Sequence, residues 1–361
     1  MLPDSARYCG VVKTTFTSEP IQRTLRGART TDHPRRGLRV GSAGTHAKLN
    51  AVRSPVMLVD AAGLWFRSYY ALPESLTAPD GSPVNAVRGF CDTLARLLTE
   101  RSPGRLVVCL DNDWRPEFRV RALPSYKSHR VAEETPEAEA VPDTLTPQIP
   151  VILDLLAALG VDTAEAEGYE ADDVIATLAE VERDDPVEVI TGDRDLFQLV
   201  RNEPTPTRVI YMGGGLNKLQ DYGPAELAER YGLPHEETGR AYADMAVLRG
   251  DPSDGLAGVA GIGEKTAAKL VSRFGSLENL LEAAANGDTE LTPRNRAKLV
   301  EANEYLAAAP SVVRAVTDAP VEHTLSTDVR RTEPVDTARV SELQRERGLG
   351  SPVDRLVAAL G

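Results

Sequence analysis

Three short strand-like runs, each leading to an aspartate, constrain this chain more than any other feature. Residues 56–59 (VMLV) end at Asp60, residues 106–110 (LVVCL) end at Asp111, and residues 187–190 (VEVI) lead through Thr191 and Gly192 to Asp193. Between them lie stretches of helical period. Residues 84–99 put Val84, Val87, Phe90, Leu94 and Leu97 on one face, residues 151–159 stop at Gly160, and residues 171–182 form another helix. Strands alternating with helices imply an α/β fold, a mainly parallel sheet flanked by helices. Open parallel sheets bind ligands outside the carboxyl ends of their strands. Three acids at three such ends therefore converge on one crevice. Aspartate is a turn former, so one acid after one strand is ordinary; three of three are harder to assign to turns.

More acids join them. Gly168-Tyr169-Glu170-Ala171-Asp172-Asp173 opens the helix of residues 171–182. Helix capping favours an acid there, but it explains one residue, not three in four. Asp193-Arg194-Asp195 follows the third run, and Gly250-Asp251-Pro252-Ser253-Asp254-Gly255 reads as a turn. The candidate set is Asp60, Asp111, Glu170, Asp172, Asp173, Asp193, Asp195, Asp251 and Asp254. Clustered carboxylates raise one another's pKa values, and divalent cations relieve the repulsion. All-oxygen donors without His or Cys select Mg²⁺ or Mn²⁺ over zinc. Two such ions roughly 3.5–4 Å apart suit phosphodiester hydrolysis.

Charge is unevenly spread. The 361 residues carry a net charge of −13, yet residues 1–53 hold ten Lys/Arg against three Asp/Glu, so the remainder stands at −20. A body that acidic argues against non-specific coating of nucleic acid, though not against local basic grooves. Residues 1–53 lack a hydrophobic period and read as a disordered basic extension. Their Arg-rich, acid-poor composition is also that of an organelle-targeting peptide. A start set too far upstream is the third reading and puts Met57 near the true beginning. Three cysteines, odd in number and without metal-ligand spacing, suit a reducing cytoplasm. No apolar run approaches the ~18 residues of a membrane span.

Basic groups adjoin the acidic crevice. Arg115, Arg119, Arg121, Lys127 and Arg130 fall within sixteen residues after the second run. A solvated charged face is the plain reading of such a run, and phosphate binding is the other. Residues 115–147 read as a long connection outside the core. Gly258-Val259-Ala260-Gly261-Ile262-Gly263-Glu264-Lys265-Thr266-Ala267 reads as helix, tight hairpin, helix. The N–H groups of Ile262 and Gly263 are placed to hold a phosphate, with Lys265 and Lys269 adding charge. It is otherwise a Gly-rich helix–helix turn. Among the aromatics after Asp60, Tyr69 is the candidate to stack on a base.

The ordered set M-L-V-D (57–60), L-D (110–111), Y-K-S-H-R (126–130), G-Y-E-A-D-D (168–173), T-G-D-R-D (191–195), G-D-P-S-D-G (250–255) and G-V-A-G-I-G-E-K-T-A (258–267) resembles the bacterial 5′–3′ exonucleases of the flap endonuclease superfamily. The resemblance covers about residues 55–361. It implies a PIN-like nuclease domain over residues 55–222, with an arch or clamp at about 112–147 that threads a free 5′ strand. It further implies a helix-hairpin-helix DNA-binding domain over 223–320 and a C-terminal segment, 321–361, packing back on the nuclease. The basic extension, residues 1–54, lies outside it. The implied activity is Mg²⁺-dependent hydrolysis of DNA at 5′ ends, nicks and flaps, with Mn²⁺ able to substitute. Asp60, Asp111, Glu170 and Asp172 would serve one metal. Asp172, Asp193, Asp195 and Asp254 would serve the second, with Asp173 and Asp251 assisting. Lys127 and Arg130 would contact the scissile phosphate. Arg119, Tyr126, Tyr69, Gly261, Ile262, Gly263, Lys265 and Thr266 would bind DNA, with K⁺ held by the hairpin carbonyls. A cytoplasmic, nucleoid-associated monomer without membrane contact is expected.

Three positions depart from the family pattern. Arg194 stands where Lys is usual between the acids of the third motif, and Gly255 stands where Asn is usual after Ser253-Asp254. The arch is rich in Pro and Glu after Arg130. Two other functions fit parts of the sequence. A branched-DNA binding module without cleavage would keep the hairpin and be indifferent to loss of Asp172 or Asp193. A PIN-type ribonuclease would lack the hairpin and the Lys127/Arg130 pair.

Overall fold

The computed structural model describes residues 53–132, 138–323 and 336–361. The expected extension thus lies outside the described residues, apart from its last two positions. Seven strands form one sheet: β1 (Val56–Asp60), β2 (Arg105–Cys109), β3 (Asp162–Glu165), β4 (Val187–Thr191), β5 (Thr207–Tyr211), β6 (Gln220–Tyr222) and β7 (Glu322–His323). Their order is β6-β5-β4-β1-β2-β3-β7. The five inner strands pair in parallel, and β6 and β7 close the edges antiparallel. This is the α/β class with a mainly parallel sheet that the alternation implied. The chain builds β1, β2 and β3 to one side, then returns to lay β4 and β5 on the other side of β1. The sheet's switch point is therefore the β1–β4 pair, where such sheets open a binding crevice.

Side chains alternate between the two faces of each strand. Met57 and Val59 of β1, Leu106 and Val108 of β2 and Ile190 of β4 pack on one side. They meet the helices Ala61–Ala71, Asn85–Arg101 and Gln148–Leu159, and the closing helices Thr337–Arg347 and Gly350–Leu360. Leu58, Val107 and Val189 pack on the other side against the helix Ala171–Val181. That second core continues without a break into the helices Thr238–Arg249 and Glu264–Phe274. The helical region and the sheet share one hydrophobic interior, which fixes the hairpin relative to the strand ends. The C-terminal helix is tied to Asn85–Arg101 by Arg355, which donates to Asp92 at 2.7 Å. Among the described residues, no helix is long and apolar enough to cross a membrane.

The stretch expected as an external connection is partly interior. Arg119, Tyr126 and Leu145 are buried. The short helix Glu117–Ala122 is pinned to the helical region by Arg119 Nε, which donates to the Val312 carbonyl at 3.1 Å.

Candidate active site

Asp60 ends β1 and caps the helix Ala61–Ala71. Its Oδ1 accepts from the Gly63 amide at 2.8 Å, and its Oδ2 accepts from Thr191 Oγ1 at 2.9 Å. A Cβ at residue 63 would lie 2.3 Å from Oδ2, so Gly63 admits the carboxylate to this position. Asp111, just past β2, accepts from the Ala171 amide at 2.8 Å and so ties the strand end to the helix that carries Asp172. The Asp193 amide donates to Thr191 Oγ1 at 2.9 Å. Asp60, Asp111, Glu170, Asp172, Asp193 and Asp251 all line one open cavity of about 700 Å³ at the carboxyl ends of β1, β2 and β4.

Burial and mutual repulsion hold Asp60, Asp111, Asp172, Asp195 and Asp254 above the ordinary carboxylate range. Desolvation is the main cause for Asp60, helped by Asp193, and Asp111 is pushed to about 7. Asp172 is raised well above the usual value by burial, then by Asp193, Asp60 and Glu170. Asp195 is raised likewise, by burial and then by Asp193, Asp254 and Asp251, while Asp254 reaches about 6.

Cations stand on the same wall. Lys127 donates to Glu170, and Arg130 donates to Asp254 at 2.7 Å. Burial works against the Lys127 charge, but the facing Glu170, Tyr126, Asp254 and Asp111 outweigh it and hold its pKa well above the usual lysine value. Lys127 has φ +47°, a left-handed conformation that strains a side-chain-bearing residue. Its amide is held by the Asp254 carbonyl at 2.9 Å.

The sequence reading passed over Arg67. Arg67 lines the cavity, and its guanidinium approaches Gly192 between Thr191 and Asp193. Its Nε is buried without a hydrogen-bond partner. It lies seven residues, two helical turns, beyond Asp60 and so on the same face, a signal the sequence did carry. Of the aromatics that follow Asp60, Tyr70 is 72% exposed at the cavity edge.

Several expected roles are corrected. Tyr69 is 7% exposed, and its hydroxyl is hydrogen-bonded to Glu74 at 3.0 Å and Thr144 at 2.7 Å. It is an interior anchor and presents no face to a base. Arg119 is buried, pairs with Glu170 and grips both oxygens of Asp173. It has no surface to offer DNA. Asp173 in turn is fully buried on that guanidinium and on the Glu170 and Val316 amides, so it is spent on structure rather than on a metal. Tyr126 is buried with its hydroxyl donated to Glu170 at 2.7 Å. Ile262 is buried, and its amide donates to the Val259 carbonyl at 2.9 Å, so it braces the hairpin and leaves no N–H for a phosphate. Gly261, Gly263 and Lys265 are exposed on the hairpin and Thr266 half-buried beside them.

The carboxylate set fits a hard divalent cation. It is all oxygen, strongly negative and carries raised pKa values that a bound cation would relieve. Among the described residues, no three acidic, His or Cys side chains are drawn together as a ready-made cage; unneutralised carboxylates repel. The hairpin fits K⁺ poorly, because Lys298 Nζ donates to the Gly261 carbonyl at 2.6 Å.

A family model described as "5′-3′ exonuclease, N-terminal resolvase-like domain" matches residues 55–232, and one described as "5′-3′ exonuclease, C-terminal SAM fold" matches residues 237–337. The chain is 53% identical over 313 residues to the 5′-3′ exonuclease of Mycobacterium tuberculosis, covering 86% of this chain and 98% of that one. It is 49% identical over 307 residues to the 5′-3′ exonuclease of Streptomyces coelicolor, covering 84% and 99%. Its fold resembles that of the bacteriophage T5 D15 flap endonuclease, solved as a pseudo-enzyme-product complex with DNA and metal ions. The TM-score is 0.56 at 18% identity, over 85% of this chain and 97% of the other.

Proposed function

The chain belongs to the 5′-3′ exonuclease family, and we propose that it is a Mg²⁺-dependent, structure-specific 5′ nuclease acting on DNA at 5′ ends, nicks and flaps. One observation carries the reading. Asp60, Asp111, Asp172 and Asp193 line a single cavity together with Arg67, Lys127 and Arg130. Acids alone would suit a cation store. Acids faced by cations suit a phosphodiester whose charge both groups must manage.

Asp60, Asp111, Glu170 and Asp172 would hold one Mg²⁺, and Asp172, Asp193, Asp195 and Asp254 a second, with Asp251 assisting and Mn²⁺ able to substitute. When bound, such ions supply an activated water and charge stabilisation for the leaving oxygen. The chain's own residues do the rest. Arg67 and Lys127, both lining the cavity, bind and orient the phosphate. Arg130 anchors the arch root to Asp254 and reaches the same phosphate path. Tyr70 stacks on the base beside it, the role expected of Tyr69. The hairpin residues Gly261, Gly263, Lys265 and Thr266 grip the downstream duplex.

The domain scheme follows: a catalytic unit over 55–222 with its arch at 112–147, a duplex-gripping unit over 223–320, and a closing segment over 321–361. We take the enzyme to be a cytoplasmic, nucleoid-associated monomer. The test is cleavage of 5′-labelled flap DNA with Mg²⁺ and with EDTA, beside Asp172→Ala. Mg²⁺-dependent cuts near the junction, absent in the variant, are expected. Tight binding without cutting would reduce the protein to a branched-DNA binder.

A further inference from the structure

We propose that Lys298 takes the place of an alkali ion in the DNA-gripping hairpin, so that this hairpin is closed by an internal ammonium and needs no K⁺. The proposal rests on the duplex-binding role given to residues 258–267 above. Three observations support it independently of that role.

First, the Lys298 ammonium donates to the Gly261 carbonyl at 2.6 Å. That carbonyl sits at the apex of Val259-Ala260-Gly261-Ile262-Gly263, where the backbone turns through Gly261 at φ +72°. An alkali ion binds such a turn only through its carbonyl oxygens, and here one of those oxygens already accepts from a positive charge. Second, the turn is shaped around the lysine. A Cβ at residue 261 would lie 2.9 Å from Nζ and 3.2 Å from Cε of Lys298. Glycine there serves the left-handed φ and the close approach of the ammonium together.

Third, the lysine is carried on a rigid element. The helix Pro293–Glu301 is capped by Thr292, whose hydroxyl accepts from the Asn295 amide at 3.2 Å. Leu299, the next residue after Lys298, is buried in the shared core. A long flexible side chain loses much rotamer freedom on being fixed; starting from a fixed helix limits what remains to be lost. Among the described residues, no carboxylate pairs with Lys298, so its charge stays directed at the hairpin. An ammonium has three donors. One is used on Gly261, and the others remain for a phosphate arriving at the exposed Gly261 and Gly263. Lys298 thereby does two things a bound K⁺ would do, holding the turn and adding charge at the phosphate, without an ion-binding equilibrium.

The experiment compares the full chain with Lys298→Met, which keeps the stem length and removes charge and donors. Backbone hydrogen exchange of residues 258–267 is measured in KCl, NaCl and tetramethylammonium chloride at one ionic strength. Binding of a nicked duplex is then followed by fluorescence anisotropy in the same salts with EDTA. Equal ionic strength keeps counterion release comparable across the series. The wild type should show the same protection and the same affinity in all three salts. Lys298→Met should exchange about tenfold faster and bind about tenfold more weakly in tetramethylammonium, the loss of roughly one charge-assisted hydrogen bond, with partial recovery in KCl. Wild-type protection that rises with K⁺ overturns the proposal and needs no variant to do so. So does a Lys298→Met hairpin that exchanges as the wild type does in tetramethylammonium. Salt-independent protection without any DNA binding would overturn the duplex-gripping role and leave the internal ammonium standing.

Discussion

Arg119 donates to both carboxylate oxygens of Asp173, at 2.6 and 2.8 Å, in an interior that water does not reach. The same guanidinium also pairs with Glu170 and donates to the Val312 carbonyl. It therefore joins the arch root, the helix Ala171–Val181 and the helical region at one point. Removing one partner of a buried pair leaves the other charge uncompensated, typically at a cost of about 3–5 kcal/mol. Arg119→Ala should lose stability on that scale in urea denaturation. A variant as stable as the wild type but weak in DNA binding would return Arg119 to the DNA-contacting set.

Tyr69 and Tyr70 are neighbours in sequence with opposite environments. Tyr70→Ala should lower kcat/KM on flap DNA about tenfold, since base–aromatic stacking contributes roughly 1–3 kcal/mol. Its urea midpoint should not move. Tyr69→Phe should do the reverse, losing about 1 kcal/mol of stability with its hydroxyl contacts while cleavage persists. Steady-state kinetics and denaturation on the same two proteins decide the assignment.

The acids that line the cavity were legible because strand ends are legible. Asp60, Asp111 and Asp193 each follow a run of β-formers, and parallel topology turns three such positions into one crevice. The environments of Arg119, Tyr126 and Asp173 were not legible. A charged or polar residue in a basic, Pro-rich stretch reads as exposed until its partner is known, and Arg119's partners lie 51, 54 and 193 residues away. Tyr69 and Tyr70 sit about 100° apart on a helix. Tyr70, three residues beyond Arg67, shares its crevice-side face, whereas the Thr144 partner of the Tyr69 hydroxyl lies 75 residues away. Strands β3, β6 and β7 (DTAE, QDY and EH) are short and polar, and only their pairing partners make them strands. Arg67 was the avoidable omission, since helical spacing from Asp60 already put it on the crevice side.

The raised carboxylate pKa values predict an inverted pH dependence for the metal-free protein. Unfolded aspartates titrate near 4, whereas Asp111 titrates near 7 and Asp254 near 6 in the fold, with Asp60 and Asp172 also raised. Between those limits the folded state binds more protons than the unfolded one, so stability falls as pH rises through the window. The Tm measured in EDTA should drop between about pH 5 and about pH 7.5. Mg²⁺ should restore it at the upper end and do little at the lower, because protons compete for the same oxygens. A Tm in EDTA that climbs across this range would mean the acids are not clustered as the cavity has them.

Gly255, which stands where the resemblance leads one to expect Asn, is where the segment of Lys127 meets the last acidic loop. The residue has φ +73°, and a Cβ on it would lie 2.3 Å from the Ser125 carbonyl oxygen and 3.6 Å from the Lys127 amide nitrogen. Around that contact, the Lys127 amide donates to the Asp254 carbonyl at 2.9 Å, and Arg130 donates to the Ser253 carbonyl at 2.8 Å and to Asp254. The absence of a side chain therefore lets the loop carrying Asp254 dock directly beneath the residue that presents Lys127. Asn tolerates the left-handed backbone but not the Ser125 carbonyl. Gly255→Asn should force the two loops apart with little cost in backbone φ, so kcat should fall by about tenfold or more and Tm should fall with the loop-to-loop hydrogen bonds that are lost. Gly255→Ala adds the strain and should lose about 1 kcal/mol of stability as well. Single-turnover cleavage beside a thermal melt separates the two effects. If Gly255→Asn cleaves at the wild-type rate, the contact at Ser125 does not set the position of Lys127.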